Sequence, residues 1–394
     1  MAENQTQSPK LYAPREPNFP RRVSGTFRTL KWWILGITLG VYYLFPWIRW
    51  DRGPNLPDQA VLVDMAGRRF YFFWIEIWPH EFYFVAGLLI MAGLGLFLFT
   101  SALGRVWCGY ACPQTVWTDL FILVERWIEG DRNARVRLWN APWTGKKIRL
   151  RVTKWVVWFL IALATGGAWV FYFADAPTLA RDLVTLNAAP IAYSTILVLT
   201  ATTLIFGGFM REQVCIYMCP WPRIQGAMMD DDTLTVAYRD WRGEPRGKHR
   251  KAEGADQLGD CIDCMACVNV CPVGIDIRDG QQLECITCAL CIDACDDIMA
   301  KIGKERGLID YLALSDEGRE REGNPPRPIW QHVFRLRTII YTGLWSLIGV
   351  ALIWALFVRS DIGLSVEPVR NPQLVTVSDG WLGECSSVRM GDLT

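Results

Sequence analysis

Residues 261–295 read CIDCMACVNVCPVGIDIRDGQQLECITCALCIDAC, and the cysteine spacing in this stretch decides what kind of chain it belongs to. Cys261, Cys264, Cys267 and Cys271 form one CxxCxxCxxxC run; Cys285, Cys288, Cys291 and Cys295 form a second after a short spacer. An iron-sulfur cubane needs four thiolates, three from a tight loop and one from farther away, so each run predicts most of one [4Fe-4S] site. In this spacing the fourth cysteine of each run reaches across to the other cluster. The expected ligand sets are Cys261, Cys264, Cys267 and Cys295 for one cluster, and Cys285, Cys288, Cys291 and Cys271 for the other. The competing reading is a pair of zinc sites, but zinc favours two CxxC pairs held well apart. Asp260, Asp263, Asp293, Asp296 and Asp297 crowd the runs, and negative charge beside a cluster is expected to lower its reduction potential. Pro272 follows Cys271, whereas Asp296 stands where a second proline would follow Cys295.

Outside this stretch the composition points to a bilayer. Apolar residues make up 51% of the chain, there are twenty Trp, and mean hydropathy is +0.15. These values lie above those of an ordinary soluble domain. The formal net charge of +1 averages segments of very different charge and gives no argument for a nucleic-acid partner, so none is expected. Twelve of the thirteen Cys fall in motif spacings and no cleavable signal sequence opens the chain, which favours metal ligation in a reducing compartment over a disulfide scaffold. Residues 1–31, with Pro9, Pro14, Pro17 and Pro20 among polar side chains, read as a mobile cytoplasmic arm without a core.

Five stretches approach the roughly 20 apolar residues that a membrane-crossing helix needs. They lie near Trp32 to Trp47, Phe82 to Leu103, Trp155 to Ala174, Pro190 to Phe209 and Thr338 to Val358. Trp32, Trp33, Trp47, Trp155 and Tyr172 at their ends fit an interfacial belt. The loop from Gly104 to Lys154 carries Arg105, Arg126, Arg132, Arg135, Arg137, Lys146, Lys147, Arg149, Arg151 and Lys154, whereas Ala176 to Ala189 carries only Arg181. The positive-inside rule therefore puts the first loop, the amino terminus and the segment 211–337 in the cytoplasm, and the carboxyl terminus outside. The organisation expected is an arm at 1–31, a four-helix membrane region at 32–210, a cytoplasmic segment at 211–337 holding a cluster domain at about 255–305, a fifth helix at 338–358, and an external tail at 359–394.

A second cysteine pattern occurs twice. Cys108-Gly-Tyr-Ala-Cys112-Pro113 and Cys215-Ile-Tyr-Met-Cys219-Pro220 each begin a few residues after the expected end of a span, the second and the fourth. On a continued helix, cysteines at i and i+4 share one face, and the following Pro disfavours helical geometry at the second. If the second and fourth spans pack as neighbours, the two pairs meet. Packing as small hydrophobes, a dithiol/disulfide couple and binding of Cu(I) by soft thiolates, with Met210 and Met218 nearby, are the alternatives. Haem is disfavoured: no CxxCH occurs, and the only histidines, His80, His249 and His332, read as ordinary polar residues of interfaces and loops. The stretch Thr115 to Ile128 has helical amphipathicity and is expected to lie on the membrane surface or cap the cluster domain.

Taken together, VWCGYACPQTVWTD (106–119), CIYMCPWPRIQGAMMDDDTLTVAYRDWRGEPRG (215–247), the eight-cysteine segment and the five spans resemble the polyferredoxin accessory proteins of cytochrome c oxidase, the CcoG/FixG/RdxA family. The resemblance runs from about Arg28 to Gly380. It implies an α-helical integral membrane protein of the bacterial inner membrane with five transmembrane helices and an inserted two-cluster ferredoxin-like domain. It also implies a role in assembling the cbb-type haem-copper oxidase, with reduction of Cu(II) to Cu(I) as the chemistry and Cys108, Cys112, Cys215 and Cys219 as the copper or thiol redox site. The implied partners are a cytoplasmic electron donor, a copper chaperone or transporter, oxidase assembly factors and the lipid bilayer. Related membrane proteins use similar elements to feed periplasmic reductases, which is the alternative function; a non-enzymatic scaffold is another. Family members usually continue into an external β-sandwich. Here 370–380 resembles its opening strand, and 381–394 loses the alternating pattern, so a short, truncated β-type tail is expected, with lone Cys385 given no function.

Overall fold

The computed structural model describes residues 17–53, 56–247 and 258–358, and strand segments 362–368, 374–376, 382–384 and 386–392. His249 and Cys385 lie outside these residues, and the expected strand at 370–380 lies only partly within them. In the tail, β6 to β9 form two short antiparallel pairs, Ile362–Pro368 with Ser386–Asp392 and Leu374–Thr376 with Leu382–Glu384. Strand structure thus starts before 370 and continues past 381, where the sequence pattern had lost it.

Of the arm expected at 1–31, residues 1–16 lie outside the described residues, and the irregular segment from Pro17 to Ser24 is held by the rest of the chain. Asn18 donates to the carbonyls of Cys271 (3.0 Å) and Pro272 (2.9 Å), the Arg21 amide donates to Asn269 O (2.7 Å), and Pro20 O accepts from Arg135 (2.7 Å). A segment without a core of its own is held by its backbone polar groups, which burial obliges to find partners. Helix α1 (Thr26–Leu44) follows, with the amides of Phe27 (3.2 Å) and Arg28 (2.7 Å) capped by the Asp293 carboxylate. Those amides have no partner within their own helix, and an anion there also suits the helix dipole.

Among the described residues, four helices are long and apolar enough to cross a membrane: Pro79–Leu103, Gly145–Val170, Pro190–Met210 and Leu336–Val358. The expected span at Trp32 to Trp47 is not among them. Its α-helix stops at Leu44, a 3-10 turn covers Phe45–Trp47, and Arg28 and Lys31 in its first turns lower its hydropathy. Yet α1 runs beside α6 (Gly145–Val170) to its far end, where Tyr42 donates to Thr165 O (2.7 Å) and Tyr172 donates to Val41 O (3.0 Å). On that far side, hydropathy gave no sign of the antiparallel meander β1 (Val61–Asp64), β2 (Arg69–Phe72) and β3 (Ile75–Ile77), which is joined to the end of α6 by Val63 N to Tyr172 O (2.8 Å).

Helix α2 (Tyr83–Leu103) packs along α15 (Leu336–Val358), and α6 along α8 (Pro190–Thr203). Close approach depends on small residues: a Cβ on Gly87 would lie 2.6 Å from Leu352, and one on Gly166 would lie 2.9 Å from Ile196 O. Outward faces are apolar and bare, as at Leu89 on α2 and Phe357 on α15. This is the surface a lipid solvent selects. The short helix α3 (Val106–Tyr110) leads into α4 (Pro113–Glu129). The Thr115–Ile128 helix, expected to lie on the membrane surface or cap the cluster domain, has its polar face inside the protein: Phe121 and Ile122 are buried, and so are Asp119, Glu125 and Glu129. Their carboxylates pair with Arg28 (2.9 Å), Arg135 (2.7 Å) and Lys154 (3.0 Å), so cations from neighbouring elements allow the polar face to be buried.

Beyond α8 the helix widens into a π-helical turn at Leu204–Met210, and a second follows at Val214–Met218 before α9 (Trp221–Met228). The cluster segment is bracketed by antiparallel β4 (Thr235–Tyr238) and β5 (Ile309–Leu312), with α11 (Ala266–Val270) and α12 (Leu290–Ile302) between them. Shorter helices connect these elements: α5 (Arg132–Asn140), α7 (Ala176–Val184), α10 (Asp240–Gly243), α13 (Leu314–Arg321) and α14 (Ile329–Val333). On α14, His332 proves to be buried rather than interfacial, with Nε2 2.8 Å from Asp316 Oδ2.

Candidate functional site

Two cavities sit inside the cluster segment. One is lined by Cys261, Cys264, Cys267 and Cys295 with Tyr238, Arg278 and Met299. The other is lined by Cys271, Cys285, Cys288 and Cys291, with Cys267 on the wall between them. The thiol of Cys295 is within electrostatic reach of Cys267, Cys264 and Cys261, and that of Cys291 within reach of Cys288, Cys285 and Cys271. The chain therefore brings together the two crossed sets expected from the spacing.

The local backbone explains how. Asp263 (φ 51°) and Met265 (φ 57°) flank Cys264 in the left-handed region, and Thr287 (φ 52°) and Ala289 (φ 59°) flank Cys288 in the same way. Non-glycine residues adopt this conformation at a cost of about 1–3 kcal/mol each where the surroundings impose it. Alternating right- and left-handed residues turn successive amides to one side, the concave nest that cradles anions and iron-sulfur groups. Four thiolates around one zinc would crowd within bonding range of a single ion. Among the described residues no group of three or more His, Cys, Asp or Glu side chains does so. The thiols are gathered around two separate cavities rather than closed on a point, as a wider polynuclear group requires.

Burial pushes the thiol of Cys267 up to about 11 and those of Cys271 and Cys295 to about 12. The bare thiols are therefore neutral at pH 7, and a metal must displace their protons. The expected acidic field is largely compensated. Asp260 meets Lys304 (2.9 Å) and Arg242 (2.7 Å), Asp263 meets Arg278 (2.7 Å), and Asp297 meets Lys301 (2.5 Å). Asp293 accepts from the amides of α1, and Asp296 from Gly307 N (2.9 Å).

The two CxxxCP motifs converge on each other. Cys215 is within electrostatic reach of Cys112, Cys108 and Cys219, and Cys108 of Cys112 and Cys219. They meet even though α2 packs chiefly on α15 and α8 on α6, so the span pairing the sequence reading required is not what joins them. Nor does either motif continue as a regular α-helix. In the first copy α3 ends at Tyr110 and Cys112 precedes α4; in the second, Cys215 sits in a π-helical turn and Cys219 is extended, its amide bonded to Val214 O (2.8 Å). Exposure is graded: Cys108 is buried, Cys112 and Cys215 are half-buried and Cys219 is exposed. Burial pushes Cys108 up to about 11 and Cys215 to about 12, and the Cys108 thiol donates to Gln225 Oε1 (3.0 Å).

This four-thiol group abuts the second cavity. Tyr110 donates to Cys288 O (3.1 Å), and a Cβ on Gly109 would stand 2.6 Å from Ile286 O and 3.0 Å from Cys288 Cα. Arg105 donates to Leu283 O. Cys108, Cys288 and Val273 share one buried cluster, with Cys271 packed against it. Gly109, Tyr110, Gln225 and Asn18 were not singled out from the sequence. Only Gly109, inside CGYAC, carried a signal, since a glycine between two ligand-type residues marks close backbone approach.

A family model described as a 4Fe-4S dicluster domain matches residues 210–314, and one described as a 4Fe-4S binding domain matches residues 84–132, which contain Cys108 and Cys112. Protein RdxB of Cereibacter sphaeroides is 72% identical over 392 residues, covering 99% of this chain and 82% of that protein. The chain belongs to the CcoG/FixG/RdxA family. Protein RdxA of the same organism is 68% identical over 98% of this chain and 82% of its own length. The nitrogen fixation protein FixG of Rhizobium meliloti is 59% identical over 94% of this chain and 75% of its own length. No solved structure matches. This family member is an iron-sulfur electron-transfer protein with ferredoxin-type 4Fe-4S domains and membrane helices.

Proposed function

We propose that this family member serves the assembly of a cbb-type haem-copper oxidase by reducing Cu(II) to Cu(I) at Cys108, Cys112, Cys215 and Cys219. The observation that carries the reading is the convergence of these four thiols against the Cys285 to Cys291 loop, where Cys108 and Cys288 share a buried cluster and the Gly109 backbone closely approaches Ile286 and Cys288. Cys261, Cys264, Cys267 and Cys295 would hold one [4Fe-4S] group, and Cys271, Cys285, Cys288 and Cys291 the other. When bound, these groups supply one-electron chemistry, the increment that Cu(II) to Cu(I) requires.

Copper enters this reading as substrate. Exposed Cys219 and Met218 offer soft sulfur at the surface, and buried Cys108 offers it within. Cu(I) commonly accepts two or three ligands, so one pair holds the metal and the other pair receives or releases it. Thiolate ligation favours Cu(I) over Cu(II) and thereby helps the reduction. Each bound ion takes one electron, supplied by a cytoplasmic reductant, and leaves as Cu(I) to a copper chaperone, a transporter or an assembly factor.

We place the protein in the bacterial inner membrane with five spans, α1 counted among them because it packs beside α6 and reaches its far end at Thr165. The amino terminus, the thiol pairs and the clusters face the cytoplasm, and the carboxyl terminus faces the periplasm, as the distribution of Lys and Arg requires. The test is the double variant Cys112→Ser with Cys219→Ser, purified anaerobically. It should lose copper binding and cupric reduction and keep wild-type iron, sulfide and visible absorbance. Undiminished reduction would refute the copper reading and favour an electron conduit to a periplasmic reductase.

A further inference from the structure

At the charged end of α6 lies a cavity of about 660 Å³ that the redox chemistry does not use. Its cations are Lys147, Arg151 and Lys154, spaced to share one face of α6, together with Arg211. Each lies over an indole: Lys147 Nζ is 5.0 Å from the Trp143 ring and Arg151 5.6 Å from that of Trp139, while Lys154 and Arg211 are 4.8 and 5.3 Å from Trp158. Three of the four have carboxylate partners. Arg151 meets Glu129 (3.2 Å), Lys154 meets Glu125 (3.2 Å) and Glu129 (3.0 Å), and Arg211 meets Glu125.

Lys147 is the exception. It is 6% exposed, and its ammonium donates to the carbonyls of Trp139 (3.0 Å) and Ala141 (2.5 Å), with no carboxylate partner among the described residues. A buried cation without a counter-charge is costly, and an anion in the cavity relieves that cost. The walls say what kind of anion. Trp155 stands at the rim, and on the turns around it Val152, Val156 and Phe159 are bare and apolar, each roughly half exposed. A soluble oxyanion has no use for an apolar wall that begins where the cationic floor ends. An amphiphile with an anionic head uses both.

We propose that this cavity binds the phosphodiester headgroup of an anionic phospholipid, with its acyl chains lying along the outward apolar face of α6. Lys147 and Arg151 supply the charge, and Trp143 and Trp155 frame the headgroup at the depth where tryptophan favours the interface. The site is independent of the copper reading, since no thiol lines it.

The experiment uses the full chain in phosphatidylcholine nanodiscs with or without phosphatidylglycerol, and reads lipid retained per chain by native mass spectrometry. Wild type should retain phosphatidylglycerol in preference to phosphatidylcholine. Lys147→Gln with Arg151→Gln should lower that retention roughly tenfold or more. Lys146→Gln with Arg149→Gln removes equal charge from exposed positions of the same helix and should leave retention unchanged. Iron content and visible absorbance report folding. If the first pair of substitutions loses the clusters, Lys147→Gln alone, which leaves every ion pair intact, carries the test. Equal retention in the two double variants, or no preference for the anionic lipid, would overturn the proposal. So would full displacement by millimolar inorganic phosphate, which would assign the site to a soluble oxyanion.

Discussion

Gly109→Ala is the smallest change that tests whether the four-thiol group and the second cluster cavity are one unit. The added methyl would stand 2.6 Å from Ile286 O, 3.0 Å from Cys288 Cα and 3.1 Å from Cys288 N, whereas ordinary contact begins near 3.4 Å. All three are backbone atoms, so no side chain can swing aside, and relief requires α3 and the Cys288 loop to part by about 0.8 Å. Overpacking of this kind costs about 1–3 kcal/mol. Parting also strains the Tyr110 to Cys288 O bond (3.1 Å), worth about 1 kcal/mol more. Alanine's helix preference over glycine, about 1 kcal/mol, works the other way. The net expectation is a loss of about 1–3 kcal/mol, read as earlier thermal bleaching of the visible cluster absorbance. The paramagnetic signal of the cluster at Cys271, Cys285, Cys288 and Cys291 should change, and that of its neighbour should not. Gly93→Ala in α2 has nothing within 4 Å of the new methyl and gains the same helix preference, so it should be neutral or stabilising. If Gly109→Ala bleaches no earlier than Gly93→Ala and reduces copper at the wild-type rate, the close approach drawn between the two sites is wrong.

Three further outcomes follow from the same structure. Cys271→Ser should perturb the cluster held with Cys285, Cys288 and Cys291 and spare the other, by spectroscopy of the anaerobic protein; loss of the opposite cluster would refute the crossed assignment. Reporter fusions at Asp131 and Leu258 should behave as cytoplasmic and one at Met65, in the β1–β2 turn, as periplasmic; an external signal at Leu258 would overturn the topology. Glu125 has its carboxyl raised by burial, but Arg211, Lys154 and Arg135 outweigh this and hold it at about 2 against an ordinary 4.5. Its folded value is depressed, so the stability it adds is complete above about 4.5 and is lost as pH falls toward 2. Tryptophan fluorescence through that window should show a shallower acid transition in Glu125→Gln than in wild type.

The cysteine spacings made two groups of thiols legible before any coordinate, because ligand number and loop length leave few ways to surround a cubane, and the eight cysteines do line two cavities. Hydropathy located four spans well, since length and apolarity are local properties. It did not show that α4 turns its polar face inward, which is buried only because Arg28, Arg135 and Lys154 arrive from distant positions in the chain. The same limit hid the role of Asn18 and the capping of α1 by Asp293, contacts across more than 250 residues that no local pattern encodes. Charge near the clusters was read from Asp residues alone and needed its partners, Arg242, Arg278, Lys301 and Lys304, to be weighed.

What the sequence did carry, in its two CxxxCP copies, is a repeat that the backbone enters through a similar turn each time. The residue four positions before the first cysteine has positive φ in both copies: Gly104 at φ 63°, ψ −133° and Arg211 at φ 44°, ψ −112°. Glycine adopts this conformation freely, but arginine does so at a cost of about 1–3 kcal/mol. That cost is tolerated where other contacts impose it, and Arg211 has two of them, its Nε donating to Gly208 O (2.9 Å) and its guanidinium pairing with Glu125. Glu125 lies on the helix that begins beside Cys112. The strained turn ahead of the second thiol pair is therefore held by the helix that follows the first. This bracing ties the two copies together although the spans that precede them pack elsewhere.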